Sequence, residues 1–279
     1  MKKGINMWSF PGGMSVPACM RLAKEAGFDG FEPALGEQGP ISIESGEAEL
    51  REYRAMAGDI GIELASLASG LYWNYPLTAD DPAVRAKSAE IVKKQLKAAS
   101  LLGVDCILVV PGAVGADFIP GLQVVPYDVA YDRALEGLRA LAPYAEDLGV
   151  TIGVENVWNK FLLSPLEMRD FIDAVGSPRV QAYFDIGNVI LTGYPEHWIS
   201  ILGKRIARCH CKDFRLSVGN ISGFVDLLAG DVDYPAVMKA LEAAGYDGYI
   251  TAEMGAYKHH SDQIVHNTSA AMDRIFGRA

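Results

Sequence analysis

The chain has 279 residues, half of them hydrophobic, and a formal charge of −10 at pH 7. That acidity disfavours a nucleic-acid partner, whose affinity rests on Lys and Arg, and no apolar run approaches the roughly 20 residues of a membrane span. Four scattered cysteines do not make a disulfide framework, and "MKKGINMWSF" lacks the apolar stretch of a signal peptide, so a soluble cytoplasmic protein is expected.

In chain order the first candidate strand is "GINMWSF". Seven further β-rich runs follow, each after a helix-like segment that closes on Gly: "KEAGFDGFEP", "GDIGIELAS", "SLLGVDCILVV", "EDLGVTIGVEN", "AVGSPRVQAYFD", "LGKRIARCHC" and "EAAGYDGYITAE". A helix-terminal Gly takes the left-handed conformation that ends the helix. Runs such as "CILVV" and "YITAE" are short, apolar and β-branched, as strands covered on both faces should be. The segments between them, such as "PAVRAKSAEIVKKQLKAASLLG", carry apolar residues at helical spacing. Eight strands alternating with helices predict a (β/α)8 TIM barrel, one domain over residues 1–279. A doubly wound open sheet is the competitor, but no G-x-G-x-x-G follows the first strand.

Strand 7, "IARCHCK", holds a Cys-His-Cys triplet that looks like a zinc site. Side chains alternate along a strand, so His210 and Lys212 share one face, while Cys209 and Cys211 share the other. The cysteines therefore read as small buried hydrophobes. His210 has better company on neighbouring strands: strand 5 ends in Glu155, strand 6 in Asp185 and strand 8 in Glu253. Each acid follows apolar residues and is costly to bury unpartnered. Three carboxylates and an imidazole at the C-terminal rim suit one divalent cation, Mn²⁺ or Mg²⁺ first, with Co²⁺ or Zn²⁺ as options given the imidazole. The plainer alternative is salt bridges to Lys212, Arg208 or Lys160.

The series "GVENVWNKFLLSP", "YFDIGNV", "HCKDF" and "AGDVDYPAVMKALEAAGYDGYITAE" resembles the xylose-isomerase-like family of sugar and sugar-phosphate isomerases and epimerases. Ketose 3-epimerases and L-xylulose-5-phosphate 3-epimerases are among its members, and the likeness runs over nearly the whole chain. The resemblance implies one catalytic divalent ion held by Glu155, Asp185, His210 and Glu253. It also implies that Glu155 and Glu253 exchange protons at the carbon next to a ketose carbonyl, through an enediolate that the cation stabilises as a Lewis acid. Lys212 is expected at a substrate oxygen or beside an acidic neighbour, Glu253 or Asp213. Many sugar 3-epimerases of the family carry a substrate-binding His where this chain has Asn188, an amide that cannot serve as acid or base.

The stretch "SGLYWNYPL" supplies Tyr72, Trp73, Asn74 and Tyr75, and Trp8 and Trp158 add aromatic surface at the rim, suited to the apolar face of a sugar. Arg215 or Lys258 remains available for a phosphate. The expected partner is a small-molecule sugar or sugar phosphate, without nucleic acid or membrane, with a homo-oligomer left open. Two other readings stay open: a metal-dependent dehydratase or lyase on a keto-sugar, and a sugar-binding barrel without turnover. DNA repair endonucleases resemble the same barrels but need three zinc ions and more His than the five present.

Overall fold

The computed structural model describes residues 1–278. Eight strands, β1 (Lys2–Asn6), β2 (Gly30–Glu32), β3 (Glu63–Leu64), β4 (Cys106–Val109), β5 (Thr151–Glu155), β6 (Val180–Asp185), β7 (Ile206–Cys211) and β8 (Tyr249–Ala252), form one parallel sheet in the spatial order β3-β2-β1-β8-β7-β6-β5-β4. Just beyond β3, the Leu67 N–H donates to the Cys106 carbonyl (3.1 Å) and the Leu108 N–H donates to the Leu67 carbonyl (3.0 Å), which joins the β3 segment to β4 and closes the ring. The expected (β/α)8 barrel is therefore present.

Eight helices follow the strands in turn: α1 (Val16–Glu25), α2 (Glu47–Ile60), α3 (Pro82–Leu102), α4 (Tyr127–Leu148), α5 (Pro165–Val175), α6 (Pro195–Leu202), α7 (Tyr234–Ala243) and α8 (Gln263–Ile275). Every residue of β4 and β5 is buried, because lumen side chains cover one face and helices the other. That double burial is why these strands read as unbroken apolar runs. The helix stops are those expected from the Gly pattern: Gly103 after α3 and Gly149 after α4 sit at φ +77° and +67°. Side-chain oxygens of Asp81, Ser164 and Asp233 cap the N-termini of α3, α5 and α7. None of these helices is long and apolar enough to cross a membrane.

Two minor ladders decorate the C-terminal rim. Ala34–Leu35 pairs in parallel with Ala68–Ser69, and Asp213–Phe214 pairs antiparallel with Phe224–Val225. The second is clamped by Asp213, whose carboxylate accepts backbone N–H bonds from Leu228, Gly230 and Val232 at 2.9, 3.1 and 3.2 Å. Asp213 thus organises the loop between β7 and α7, and Lys212 pairs elsewhere.

Candidate metal centre

The last turns of β5 to β8 bring Glu155, Asp185, His210 and Glu253 together. Each offers one ligand-type atom, and these atoms lie within 4.8 Å of one another. His210 is wholly buried, and its two ring nitrogens face different surroundings. Nε2 lies 2.8 Å from Glu32 Oε2 at the end of β2. Nδ1 lies 3.0 Å from Glu253 Oε2, 3.8 Å from Glu155 Oε1 and 4.0 Å from Asp185 Oδ2.

Glu32 fixes which nitrogen faces the cluster. Its buried carboxylate also accepts hydrogen bonds from the Asn6 amide and from the hydroxyls of Ser66 and Tyr183. Burial pushes its pKa up, but the charge of His210 and these donors outweigh burial and hold it below the usual carboxylate range. An ionised Glu32 takes the Nε2–H, which leaves Nδ1 directed at the three ligand-type carboxylates. A carboxylate behind a ligating imidazole is the usual means of fixing its tautomer and ring orientation. Sequence reasoning did not single out Glu32, although "GFEP" has the same apolar-then-acid ending as strands 5 and 8.

Asp185 is held from both sides. Its backbone N–H donates to the Asn156 amide oxygen and its carbonyl accepts from the Asn156 amide nitrogen, both at 2.8 Å, while its Oδ1 accepts from the Asn188 N–H at 2.9 Å. The turn after β6 lies flat against β7. A Cβ on Gly187 would stand 2.6 Å from the Lys212 Cβ and 2.9 Å from its carbonyl oxygen, so only glycine permits this approach. Lys212 then places its ammonium 3.0 Å from both Asp185 Oδ2 and Glu253 Oε2. The salt-bridge alternative is thus partly realised through Lys212. Arg208 instead pairs with Asp105 near the opposite end of the barrel, and Lys160 with Asp117 at 2.6 Å.

The residues fit a cation, since the contacts to Lys212 and between His210 and Glu253 leave two buried atoms without aligned hydrogen bonds. Asp185 Oδ2 and His210 Nδ1 are buried and make no aligned hydrogen bond. Buried polar atoms ordinarily find partners. Two such atoms facing the same space as two further carboxylates form a set of three oxygens and one nitrogen, which suits a divalent ion.

Without a cation the two glutamates titrate apart. Burial pushes Glu155 up to about 7, against the pull of His210 and Lys212. Burial acts on Glu253 in the same direction, but the charges and hydrogen bonds of Lys212 and His210 overcome it and bring the group down to about 2. His210 is held well above its ordinary value: burial lowers it, and Glu32, Glu155 and Glu253 more than reverse that.

A pocket of about 420 Å³ opens over the cluster, with Glu155, Lys212 and Glu253 in its lining. All five expected substrate-side residues, Trp8, Trp73, Trp158, Asn188 and Lys212, line it. Trp158 donates its Nε1–H to the Asn188 carbonyl at 2.8 Å, and the Asn188 amide donates to the Asn156 carbonyl at 3.0 Å. Phe118 and Phe224 complete the aromatic walls and were not anticipated. Phe118 comes from the long β4–α4 connection and packs edge-on against Trp73 at 5.2 Å, with no local pattern to announce it.

Tyr72 departs from the sequence reading. It is buried and donates its hydroxyl to Gln95 in the helix layer, while Tyr75 bonds Glu37. Arg215 and Lys258 do not line the pocket, and Arg215 donates to the Ala229 carbonyl at 2.9 Å. Cys209 and Cys211 are buried and contribute nothing to the cluster, as the alternation along β7 required.

A family model described as xylose isomerase-like TIM barrel matches residues 20–275. A putative L-ribulose-5-phosphate 3-epimerase of Escherichia coli is 27% identical over 259 residues, covering 88% of this chain and 85% of its own. The crystal structure of a D-psicose 3-epimerase in the presence of D-fructose superposes with a TM-score of 0.79 at 22% identity, over 100% of this chain and 98% of that one. An L-ribulose 3-epimerase structure gives a TM-score of 0.81 at 20% identity, over 99% and 95%.

Proposed function

The chain belongs to the xylose isomerase-like TIM barrel family, and from that membership we propose that it is a divalent-metal-dependent epimerase or isomerase of a keto-sugar. The observation that carries the reading is the gathering of Asp185 Oδ2 and His210 Nδ1, both buried without an aligned hydrogen bond, with two glutamates that titrate apart. Glu155, Asp185, His210 and Glu253 would hold the ion. Three oxygens with one imidazole favour Mn²⁺, with Mg²⁺, Co²⁺ and Zn²⁺ as alternatives. A bound ion would supply Lewis-acid polarisation of the substrate carbonyl and offset the negative charge that develops on its oxygen.

The residues supply the proton chemistry. Glu253, kept ionised by Lys212, is the group equipped to take a proton from the carbon beside the carbonyl. Glu155, which holds a proton near neutrality when no cation is present, becomes ionised beside one, and then accepts or returns a proton as the direction of reaction requires. The two stand at opposite ends of the four-strand arc β5 to β8, so they address the reacting carbon from different sides, which is what inversion of its configuration needs. Asp185 and His210 hold their positions through Asn156 and Glu32 and carry no proton in the reaction. Trp8, Trp73 and Trp158 offer apolar surface to the C–H faces of a sugar. Asn188 and Lys212 offer hydrogen bonds to its oxygens.

The test is solvent exchange. Mn²⁺-loaded protein incubated in D₂O with a panel of ketoses should introduce deuterium at the carbon next to the carbonyl, read by NMR, with the position of the label separating epimerase from isomerase. Loss of water or of a leaving group would show a dehydratase or lyase instead. If the loaded protein exchanges no proton in any of the panel, the reading is wrong.

A further inference from the structure

We propose that the substrate of this centre is an uncharged keto-sugar that extends beyond the reacting ring, a glycoside or disaccharide in place of a ketose phosphate. The inference rests on the reading of the centre as a sugar epimerase and adds the class of molecule that it accepts.

Charge comes first. Four carboxylates, Glu32, Glu155, Asp185 and Glu253, surround His210, and Lys212 is the only cationic side chain lining the pocket among the described residues. A phosphate monoester would bring about 1.5 to 2 further negative charges to a lining that holds two carboxylates and one ammonium. Phosphate recognition ordinarily uses Arg forks, Lys ammonium groups or a helix N-terminus. Lys212 is already committed, 3.0 Å from two of the carboxylates. Outside the lining, Arg215 and Lys160 bond the Ala229 carbonyl and Asp117. The rest of the wall, aromatic rings and amides, suits hydroxyls and C–H faces and repels nothing.

Size is the second observation. A further cavity of about 470 Å³, no smaller than the pocket over the cluster, adjoins it. The two share Trp8 and Gly70, so the Trp8 ring, 41% exposed, forms the partition between them. The loops after β1 and β2 build the second cavity, with Phe10, Met14, Leu35 and Ile41 among its walls, and no charged side chain lines it. An exposed indole between the charged centre and an uncharged cavity is a platform that one sugar ring can stack on while another lies over the cluster. The occupant of the second cavity is therefore the far residue of the substrate: a second pyranose or an apolar aglycone.

Gly70 gives the test its variant. Its φ is −91°, open to any residue, and a Cβ placed there meets only the Trp8 ring, at 3.9 Å. Gly70→Leu puts a side chain at the junction of the two cavities without touching a metal ligand, and Gly70→Val gives a graded second point should the larger one fold poorly. Mn²⁺-loaded protein is compared with a free ketose, its phosphate and a keto-disaccharide, by solvent-deuterium exchange. Calorimetric binding of the corresponding alditols, which cannot react, is measured in parallel.

The keto-disaccharide should exceed the ketose phosphate in kcat/KM by about 10²-fold or more, since a like-charge mismatch costs several kcal/mol. Gly70→Leu should lower the disaccharide-to-ketose ratio about tenfold, the usual scale of steric discrimination in a pocket. A phosphate that binds or reacts as well as its neutral counterpart overturns the charge argument. A ratio that Gly70→Leu and Gly70→Val leave where it was overturns the use of the second cavity. Neutral alditols that bind in the expected order, with no proton exchange in any sugar, would uphold the substrate class and remove the epimerase reading instead.

Discussion

If His210 holds a metal, it does so through the nitrogen that Glu32 leaves free, so the acid behind it should be nearly as important as the acids in front. Glu32→Gln keeps the shape but loses the charge that claims the Nε2–H. Such losses behind a ligating histidine cost about 10–100-fold in metal affinity. Mn²⁺ titration should show a drop of that size with thermal stability largely kept, and wild-type affinity would mean that Glu32 does not orient the ring. The two glutamates in front should part company with Asp185 and His210. Glu155→Gln and Glu253→Gln each retain an oxygen ligand and lose a base, so turnover should fall about 10²–10⁴-fold with much of the metal retained. Asp185→Asn and His210→Ala should lose metal and turnover together. Full activity in either Gln variant with metal bound would leave that residue only a ligand. Glu155, Asp185 and Glu253 were legible in the sequence because a charge ending an apolar strand is costly without a partner. Glu32 carried the same mark. Its role depends on reaching His210 across the lumen, 178 positions away, and no local pattern encodes that reach.

Strands and helices were legible at the level of elements because two signals agreed: an apolar run too short for a helix, and a glycine closing the helix before it. The rim ladders were not, since strands of two residues have no period to read. The 3₁₀ turn Leu71–Trp73 explains the error at Tyr72: the tight turn sends Tyr72 into the helix layer and Trp73 into the pocket. Aromatic composition placed the segment near the site but could not say which ring faced it. The turn after β6 gives this scale its own prediction. Gly187→Ala forces a Cβ to within 2.6 Å of the Lys212 Cβ, against backbone on the same side, so the turn must shift. A cost of about 1–3 kcal/mol in stability is expected from overpacking of this kind, read by denaturant unfolding, with weaker Mn²⁺ binding as Asp185 moves with the turn. Wild-type values in both would mean the turn has slack.

The whole molecule should register the opposed titration of its two glutamates. A carboxyl raised to about 7 binds its proton more tightly folded than unfolded. Glu155 therefore favours the metal-free fold at acid pH, and that contribution is lost as pH rises from the ordinary carboxylate range through about 7. Glu253, lowered to about 2, contributes above the ordinary range and loses that contribution as pH falls towards 2. A metal must displace the Glu155 proton and any proton on His210 Nδ1. Its apparent affinity should tighten by about tenfold per pH unit, or more, through pH 7, and should go on tightening above it while His210 still holds its second proton. The rise in melting temperature produced by fixed Mn²⁺ should be larger at pH 8 than at pH 6, since ligand stabilisation follows the ratio of concentration to Kd. Equal shifts would contradict competition between proton and metal.

Placing the cluster ligands at the ends of β5 to β8 has a consequence for how such a protein can change over time. The four lie within one contiguous stretch, Glu155 to Glu253, while Trp8, Trp73, Phe118 and the adjoining cavity come from loops of the first four strands. Glu32 ties the early half to His210 at the cluster. Heritable variation in the early loops can thus retune which molecule is held while the later strands keep the reaction intact. The Gly70 and Gln variants probe those two inheritances separately.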